Sequence, residues 1–128
     1  DNGLITPIVH AANRLGLIEI ATRMRDLSTR ARAGTLRSEE FQGGSFSISN
    51  LGMFGVRQFD AIINPPQGAI LAIGAAEPRP VVVDGALAVA TMMTLSLSSD
   101  HRVIDGALAA RFLSTLKGFL QQPATMLA

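Results

Sequence analysis

An α/β or α+β fold, a mixed β-sheet covered by helices, is predicted from three features of the sequence. Two stretches place apolar residues at three- and four-residue steps, the period of an amphipathic helix. Several shorter apolar or alternating stretches lie between breaks rich in Gly, Pro and Asn, as strands do. Asp84-Gly85 between two apolar runs is a hairpin signal, because a tight primed turn needs residues that tolerate positive φ. Elements of both kinds bury their apolar faces by layering helices on a sheet. With 128 residues, 48% of them hydrophobic, the chain is long enough for one domain with a core and too short for two, so one globular unit is expected.

Leu4 to Val9 is read as a first strand. Leu17, Ile20, Ala21, Met24, Leu27, Ser28 and Ala31 then form the stripe of a helix that stops at Gly34. Six arginines between Arg14 and Arg37, set against Glu19 and Asp26, are read as the wet face of that helix rather than as a phosphate-binding patch. From Ser45 the period changes to two, so that Ser45, Ser47 and Ser49 share one face of a strand and Phe46, Ile48 and Asn50 the other. The polar face of that strand is expected to be half exposed. Gly52 and Gly55 bracket Met53-Phe54 in a turn. Asp60 to Ile63, Gln67 to Ala75, Pro80 to Val83 and Ala86 to Ser98 follow as strands, separated by Asn64-Pro65-Pro66, by Glu77-Pro78-Arg79-Pro80 and by Asp84-Gly85. Leu108, Phe112, Leu113, Leu116 and Leu120 mark a second amphipathic helix, closed by Pro123.

Composition narrows the chemistry. A net charge of +1 argues against a dominant attraction to nucleic acid or an anionic membrane. The absence of cysteine and the presence of only two histidines exclude thiol catalysis, a zinc cluster and a disulfide framework within this chain, and no metal site is expected. Apolar stretches break well before the roughly 20 residues of a membrane span, so a soluble chain is expected. The opening Asp1-Asn2-Gly3, without a methionine, reads as the start of a fragment with an upstream portion removed.

The strongest candidate for chemistry is Asp100-His101-Arg102-Val103-Ile104-Asp105-Gly106, which follows a long apolar strand and leads into a helix. An imidazole is the side chain that moves protons near neutral pH, and strand-to-helix junctions gather functional groups, which favours His101 over His10. Spacing alone leaves His101 open between a structural and a catalytic role. Asp105 stands where an aspartate caps the free amides of a helix start. A hydroxyl near an imidazole serves as a nucleophile or as a donor to a developing oxyanion, but the residues themselves do not choose among Ser45, Ser47 and Ser49.

That heptad closely resembles the HxxxDG signature of the dihydrolipoamide acyltransferases, the core subunits of 2-oxoacid dehydrogenase complexes. The run from Gly43 to Gly55 (Gly-Gly-Ser-Phe-Ser-Ile-Ser-Asn-Leu-Gly-Met-Phe-Gly) and Ala61-Ile62-Ile63-Asn64-Pro65-Pro66-Gln67, followed by Ala69-Ile70-Leu71-Ala72-Ile73-Gly74, resemble further family segments in the expected order. HxxxD alone is shared with other CoA-dependent acyltransferases; the three segments together are far more specific. The likeness covers essentially the whole chain, and implies that residues 1–128 are the C-terminal part of a catalytic domain of the CoA-dependent, chloramphenicol acetyltransferase-like fold, without the lipoyl and subunit-binding domains.

The resemblance implies acyl transfer between dihydrolipoamide, carried on a separate lipoyl domain, and coenzyme A. In it His101 matches the general base, Ser49 the oxyanion-stabilising serine, and Asp105 the aspartate that holds the loop and helix start. Asn50 to Gly55 and Ala72-Ile73-Gly74-Ala75 are most like the acetyl-transferring branch of the pyruvate dehydrogenase complex; the succinyl and branched-chain acyltransferases are the alternatives. A homotrimer is implied, with the base and the serine on adjacent subunits. Trimers would build a large symmetric core, octahedral or icosahedral, that coenzyme A enters from inside and the lipoyl arm from outside. The decarboxylase and dihydrolipoamide dehydrogenase subunits would be its partners, in the bacterial cytoplasm or the mitochondrial matrix. A non-catalytic core scaffold and a small antibiotic-modifying acyltransferase are the other readings; the Asn64-Pro65-Pro66-Gln67 region argues against the second.

Overall fold

In a computed structural model, residues 3–127 are described; Asp1, Asn2 and Ala128 lie outside the described residues, and with them most of the opening step read as a fragment's start. The chain divides into two compact units, Asp1–Gly44 and Ser45–Ala128. Each has its own helix and its own set of internal bonds.

In the first unit, helix α1 runs Leu17–Arg32. Glu19 in its first turn and Arg30 and Arg32 in its last complement the helix dipole. Gly34, at φ 68°, takes the left-handed conformation that ends the helix, as the glycine stop predicts. The predicted stripe is covered only in part, with Leu27 buried while Leu17 and Met24 stay about half exposed. The wet-face reading of the arginines needs correction at Arg30. Its guanidinium bonds Asp26 one turn earlier at 2.7 Å and both carboxylate oxygens of Glu40 at 2.7 Å, and Glu40 is buried. Glu40 also accepts the Arg37 backbone N–H at 2.8 Å, closing the short 3-10 turn Ser38–Glu40. The Arg30 guanidinium holds the Glu40 carboxyl at about 2, well below its ordinary range. Leu4 to Val9 is not a strand. The segment makes one backbone bond, Ile8 N–H to Glu40 C=O at 2.8 Å, and a strand without a neighbouring strand has no ladder to hold it.

The second unit contains the mixed sheet. Strands β1 (Phe46–Asn50), β2 (Ala69–Ile73) and β5 (Leu95–Ser99) lie in the order β1-β2-β5, β1 parallel and β5 antiparallel to β2. Central β2 supplies the core: Ala69, Ile70, Leu71 and Ala72 are all buried, which is why it reads as an unbroken apolar run. Helix α2 (Gly106–Gln121) packs on this sheet, its Phe112 ring 5.7 Å from the Phe46 ring. Strands β3 (Glu77–Val83) and β4 (Ala86–Met92) form a separate two-stranded sheet. Asp84 and Gly85, at φ 50° and 78°, make the predicted hairpin turn.

The single strand predicted from Ala86 to Ser98 is thus two strands in two sheets. Met92 pairs with Glu77 and Leu95 with Ile73, so the chain changes partners at Met93-Thr94. Thr94 anchors the change, accepting the Gly74 N–H at 3.0 Å on its carbonyl and the Arg79 guanidinium at 2.9 Å on its hydroxyl. Asp60 to Ile63 is not a strand either: no ladder reaches it, and Ile62 is 91% exposed. After β1 the turn at Gly52–Phe54 forms as predicted, with Asn50 Oδ1 accepting the Gly52 N–H at 2.9 Å. Gly74 must be glycine for packing reasons, because a Cβ there would overlap the Arg57 carbonyl.

Candidate active site

Two of the three candidate residues stand at the edge of the sheet where β5 gives way to α2. Asp100 continues the ladder one step past β5, its N–H donating to Gly68 C=O at 2.8 Å. The chain then turns sharply, with Val103 N–H and Ile104 N–H both donating to the Asp100 carbonyl at 3.0 and 2.9 Å. Gly68 lets this turn sit close, since a Cβ there would approach Val103 Cγ2 at 3.2 Å. His101 is the exposed tip of the turn, and its ring makes no hydrogen bond among the described residues. Its imidazole is therefore available to a substrate from solvent.

Asp105 caps α2. Its backbone is extended, at φ −79° and ψ 165°, and its Oδ1 accepts the Leu108 N–H at 2.7 Å, satisfying one of the orphan amides of the helix start. The carboxylate is thus engaged by its own helix.

Ser49 lies on β1, level with Ala72 and Ser96. Ser47 and Ser49 on the polar face of this strand are half-covered, while Phe46 and Ile48 on the other face are exposed. One reason lies next to Ser47, whose hydroxyl donates to Gln67 Oε1. Ser49 makes no side-chain hydrogen bond among the described residues, so of the two covered serines it is the one with a hydroxyl to offer.

The register keeps Ser49 and His101 of one chain apart. Ser49 is on the Ser49–Ala72–Ser96 rung, whereas Asp100 is held by Gly68, one step beyond the Phe46–Ala69–Ser99 rung. Two strand spacings of about 4.8 Å and four residues of about 3.3 Å rise put their Cα atoms roughly 16 Å apart. His101 is one residue further along the chain, so its Cα stays at least about 12 Å away, beyond the combined reach of a serine and an imidazole.

Asp100 itself drew no separate reading from the sequence. Its Oδ1 accepts the Arg102 N–H at 3.0 Å, and the Arg102 side chain folds back onto both carboxylate oxygens at 2.7 to 3.1 Å. Hydrogen bonds from Arg102 hold this carboxyl at about 2, below its ordinary range. An Asp two residues before a backbone donor is a known turn former, and that signal was present in the sequence. Among the described residues no cluster of His, Asp and Glu is arranged to hold a metal ion, and no helix is long and apolar enough to cross a membrane.

The family described as 2-oxoacid dehydrogenases acyltransferase (catalytic domain) matches residues 1–128. The chain is 52% identical over 128 residues to the dihydrolipoyllysine-residue acetyltransferase component of the pyruvate dehydrogenase complex of Zymomonas mobilis, covering 100% of this chain and 29% of that protein. It is 50% identical over 127 residues to the component of the same name in Rickettsia felis, covering 99% of this chain and 31% of that protein. The mitochondrial component of Schizosaccharomyces pombe is 53% identical over 126 residues, covering 95% of this chain and 26% of that protein. The chain therefore spans less than a third of the length of these relatives.

Among solved structures, the Azotobacter vinelandii dihydrolipoamide acetyltransferase superimposes with a TM-score of 0.91 at 38% identity, over 98% of this chain and 52% of that one. That work investigated the role of a serine, a histidine and an asparagine in the catalytic mechanism. The cubic core of the pyruvate dehydrogenase multienzyme complex also superimposes with a TM-score of 0.91, at 37% identity over 98% of this chain and 52% of that one. The predicted fold class, an α/β acyltransferase domain present in part, is borne out by these neighbours.

Proposed function

Because the chain belongs to the 2-oxoacid dehydrogenase acyltransferase family, matched to its catalytic domain from end to end, we propose that it is the C-terminal part of an acetyltransferase domain that moves an acetyl group between dihydrolipoamide and coenzyme A. One observation carries the assignment of residues. Ser49, His101 and Asp105 stand at the same separations along the sequence as the serine, histidine and asparagine investigated in the A. vinelandii enzyme. An aspartate replaces the asparagine here, and Asp105 Oδ1 acts through the helix cap described above.

The chemistry follows from the side chains. A thiol is mostly protonated near neutral pH, and His101 accepts its proton as the sulfur attacks the thioester carbonyl. The carbon becomes tetrahedral and its oxygen negative. The Ser49 hydroxyl donates to that oxygen, a contribution on the order of 3 kcal/mol for one well-aimed donor, with no acyl-serine formed. Collapse expels the second sulfur, which takes the proton back from His101. The acetyl group has then exchanged one thiol for another, and the base is restored.

The register argues for where these groups meet. Since Ser49 and His101 of one chain lie too far apart for a direct hydrogen bond, the favoured reading is a site completed by a second copy, Ser49 of one subunit facing His101 of its neighbour in a cyclic trimer. Such rings would form the large symmetric core of a pyruvate dehydrogenase complex, taking coenzyme A as substrate and meeting a lipoyl arm borne on a separate domain. The decarboxylase and dihydrolipoamide dehydrogenase subunits would be the other partners. Relatives occur in bacteria and in a mitochondrion, which supports the bacterial cytoplasm or the mitochondrial matrix as the compartment.

The test is His101→Ala in a full-length chain carrying this sequence, assayed for acetyl transfer from acetyl-dihydrolipoamide to coenzyme A. A fall in kcat of about 10² to 10⁴ is expected for loss of a general base. A fall of less than about tenfold in a folded variant overturns the assignment.

A further inference from the structure

We infer that Asp100 is the positioning residue for His101: its carboxylate closes a three-residue ring, Asp100 to Arg102, whose middle member is the histidine. The inference rests on His101 being the base, as proposed above. It starts from how little else holds that imidazole. His101 is exposed, and its side chain has no hydrogen-bond partner among the described residues, so the backbone that carries it is what fixes the root of the imidazole.

That backbone is fixed from both sides by one residue. On the main chain, Asp100 donates to Gly68 at 2.8 Å and accepts from Val103 and Ile104 at 3.0 and 2.9 Å, which ties the base of the turn to the sheet. On the side chain, Oδ1 reaches forward past His101 to the Arg102 N–H at 3.0 Å, the arrangement in which an aspartate mimics a backbone turn. The main-chain bonds enclose His101 within the wider turn from Asp100 to Val103 and Ile104, and the side-chain bond to the Arg102 N–H closes the tightest ring around it. The Arg102 guanidinium then seals the ring, contacting Oδ1 at 3.0 Å and Oδ2 at 2.7 Å. Arg102 is mostly exposed and Asp100 is largely covered, its side chain 24% accessible, so the carboxylate is the fixed point and the guanidinium folds onto it. The hydrogen bonds from Arg102 that hold the Asp100 carboxyl at about 2 keep this acceptor ionised near neutral pH.

Placement of this kind matters for a base because proton transfer in the transition state needs the acceptor nitrogen at hydrogen-bonding distance from the thiol. A displacement of about 1 Å is enough to cost on the order of a hundredfold in rate. Binding of coenzyme A does not require the imidazole to be so exactly aimed, so the loss should fall on kcat and not on KM.

Two conservative variants separate the geometry of the carboxylate from its charge. Asp100→Asn loses the charge but keeps an oxygen at the same place to accept the Arg102 N–H. Asp100→Glu keeps the charge and can still pair with the guanidinium, but the extra methylene moves the acceptor off the ring. Both are made in the full-length chain with His101→Ala alongside, and kcat and KM for coenzyme A are measured. The expected result is that D100N stays within about threefold of the parent kcat, while D100E falls about tenfold or more, each with KM within about twofold. Equal losses in the two variants, a larger loss in D100N, or a change confined to KM overturns the inference. If His101→Ala itself retains activity, it is the assignment of the base that fails, whatever the Asp100 variants do.

Discussion

His101 and Asp105 divide the work of their heptad. The imidazole is exposed with no side-chain hydrogen bond among the described residues, as the proposed role of base requires. The aspartate, also exposed, turns back onto the start of its own helix, 2.7 Å from the Leu108 amide. Asp105→Ala should therefore cost about 0.5 to 2 kcal/mol of stability through the lost cap. It should also lower kcat, because α2 and the turn before it then lose a common anchor. Thermal or denaturant unfolding checks the first effect and the acetyl-transfer assay the second. Unchanged stability with abolished turnover would instead make Asp105 a direct participant. Ser49 shows what the sequence left undecided: three serines two residues apart look alike on paper, and they separate only because Ser47 is bonded to Gln67 from a distant segment and Ser45 precedes the strand.

At the scale of elements, the first unit combines little apolar burial with one covered ion pair. Leu27 is its buried hydrophobic residue among the described ones, and the Arg30–Glu40 pair ties α1 to the Ser38–Glu40 turn. Glu40 titrates at about 2 in the folded chain against an ordinary 4.5. A carboxylate lowered by folding contributes stability that is fully present above pH 4.5 and disappears as pH falls from there towards 2. Asp26 and Asp100 are shifted in the same direction by Arg30 and Arg102 and act with the same sign. Glu40→Gln should thus lower the melting temperature at pH 7 and flatten its decline between pH 4.5 and 2; parallel melting curves for the two proteins across that window would contradict it. The elements with local signals were legible in the sequence: both helices with their caps, the Asp84-Gly85 hairpin, β1 and the buried β2. The failures share a cause. Leu4 to Val9 and Asp60 to Ile63 have strand-like composition but no neighbouring strand, and the division of Ala86 to Ser98 depends on which partner each half finds, Glu77 or Ile73. Pairing is a property of the fold, and an apolar run carries no mark of it.

At the scale of the whole molecule, many apolar side chains remain exposed: Ile48, Met53 and Phe54 around β1, Leu87 and Val89 on β4, and Leu108, Phe112 and Phe119 on α2. The chain spans less than a third of these relatives, and exposed apolar surface of this kind is what a partner can cover. The central claim is that the active site is completed by a partner, Ser49 and His101 being held apart within one chain and brought together between two. Subunit complementation tests this most directly. Full-length Ser49→Ala and His101→Ala chains, each inactive alone, are unfolded, mixed in equal amounts and refolded, and mixed trimers are verified by native mass spectrometry. If the site is shared, about a quarter of the interfaces in randomly mixed rings receive an intact serine from one chain and an intact histidine from the other, and acetyl transfer returns to roughly that fraction of the parent rate. Verified mixed trimers that recover no activity would contradict the account.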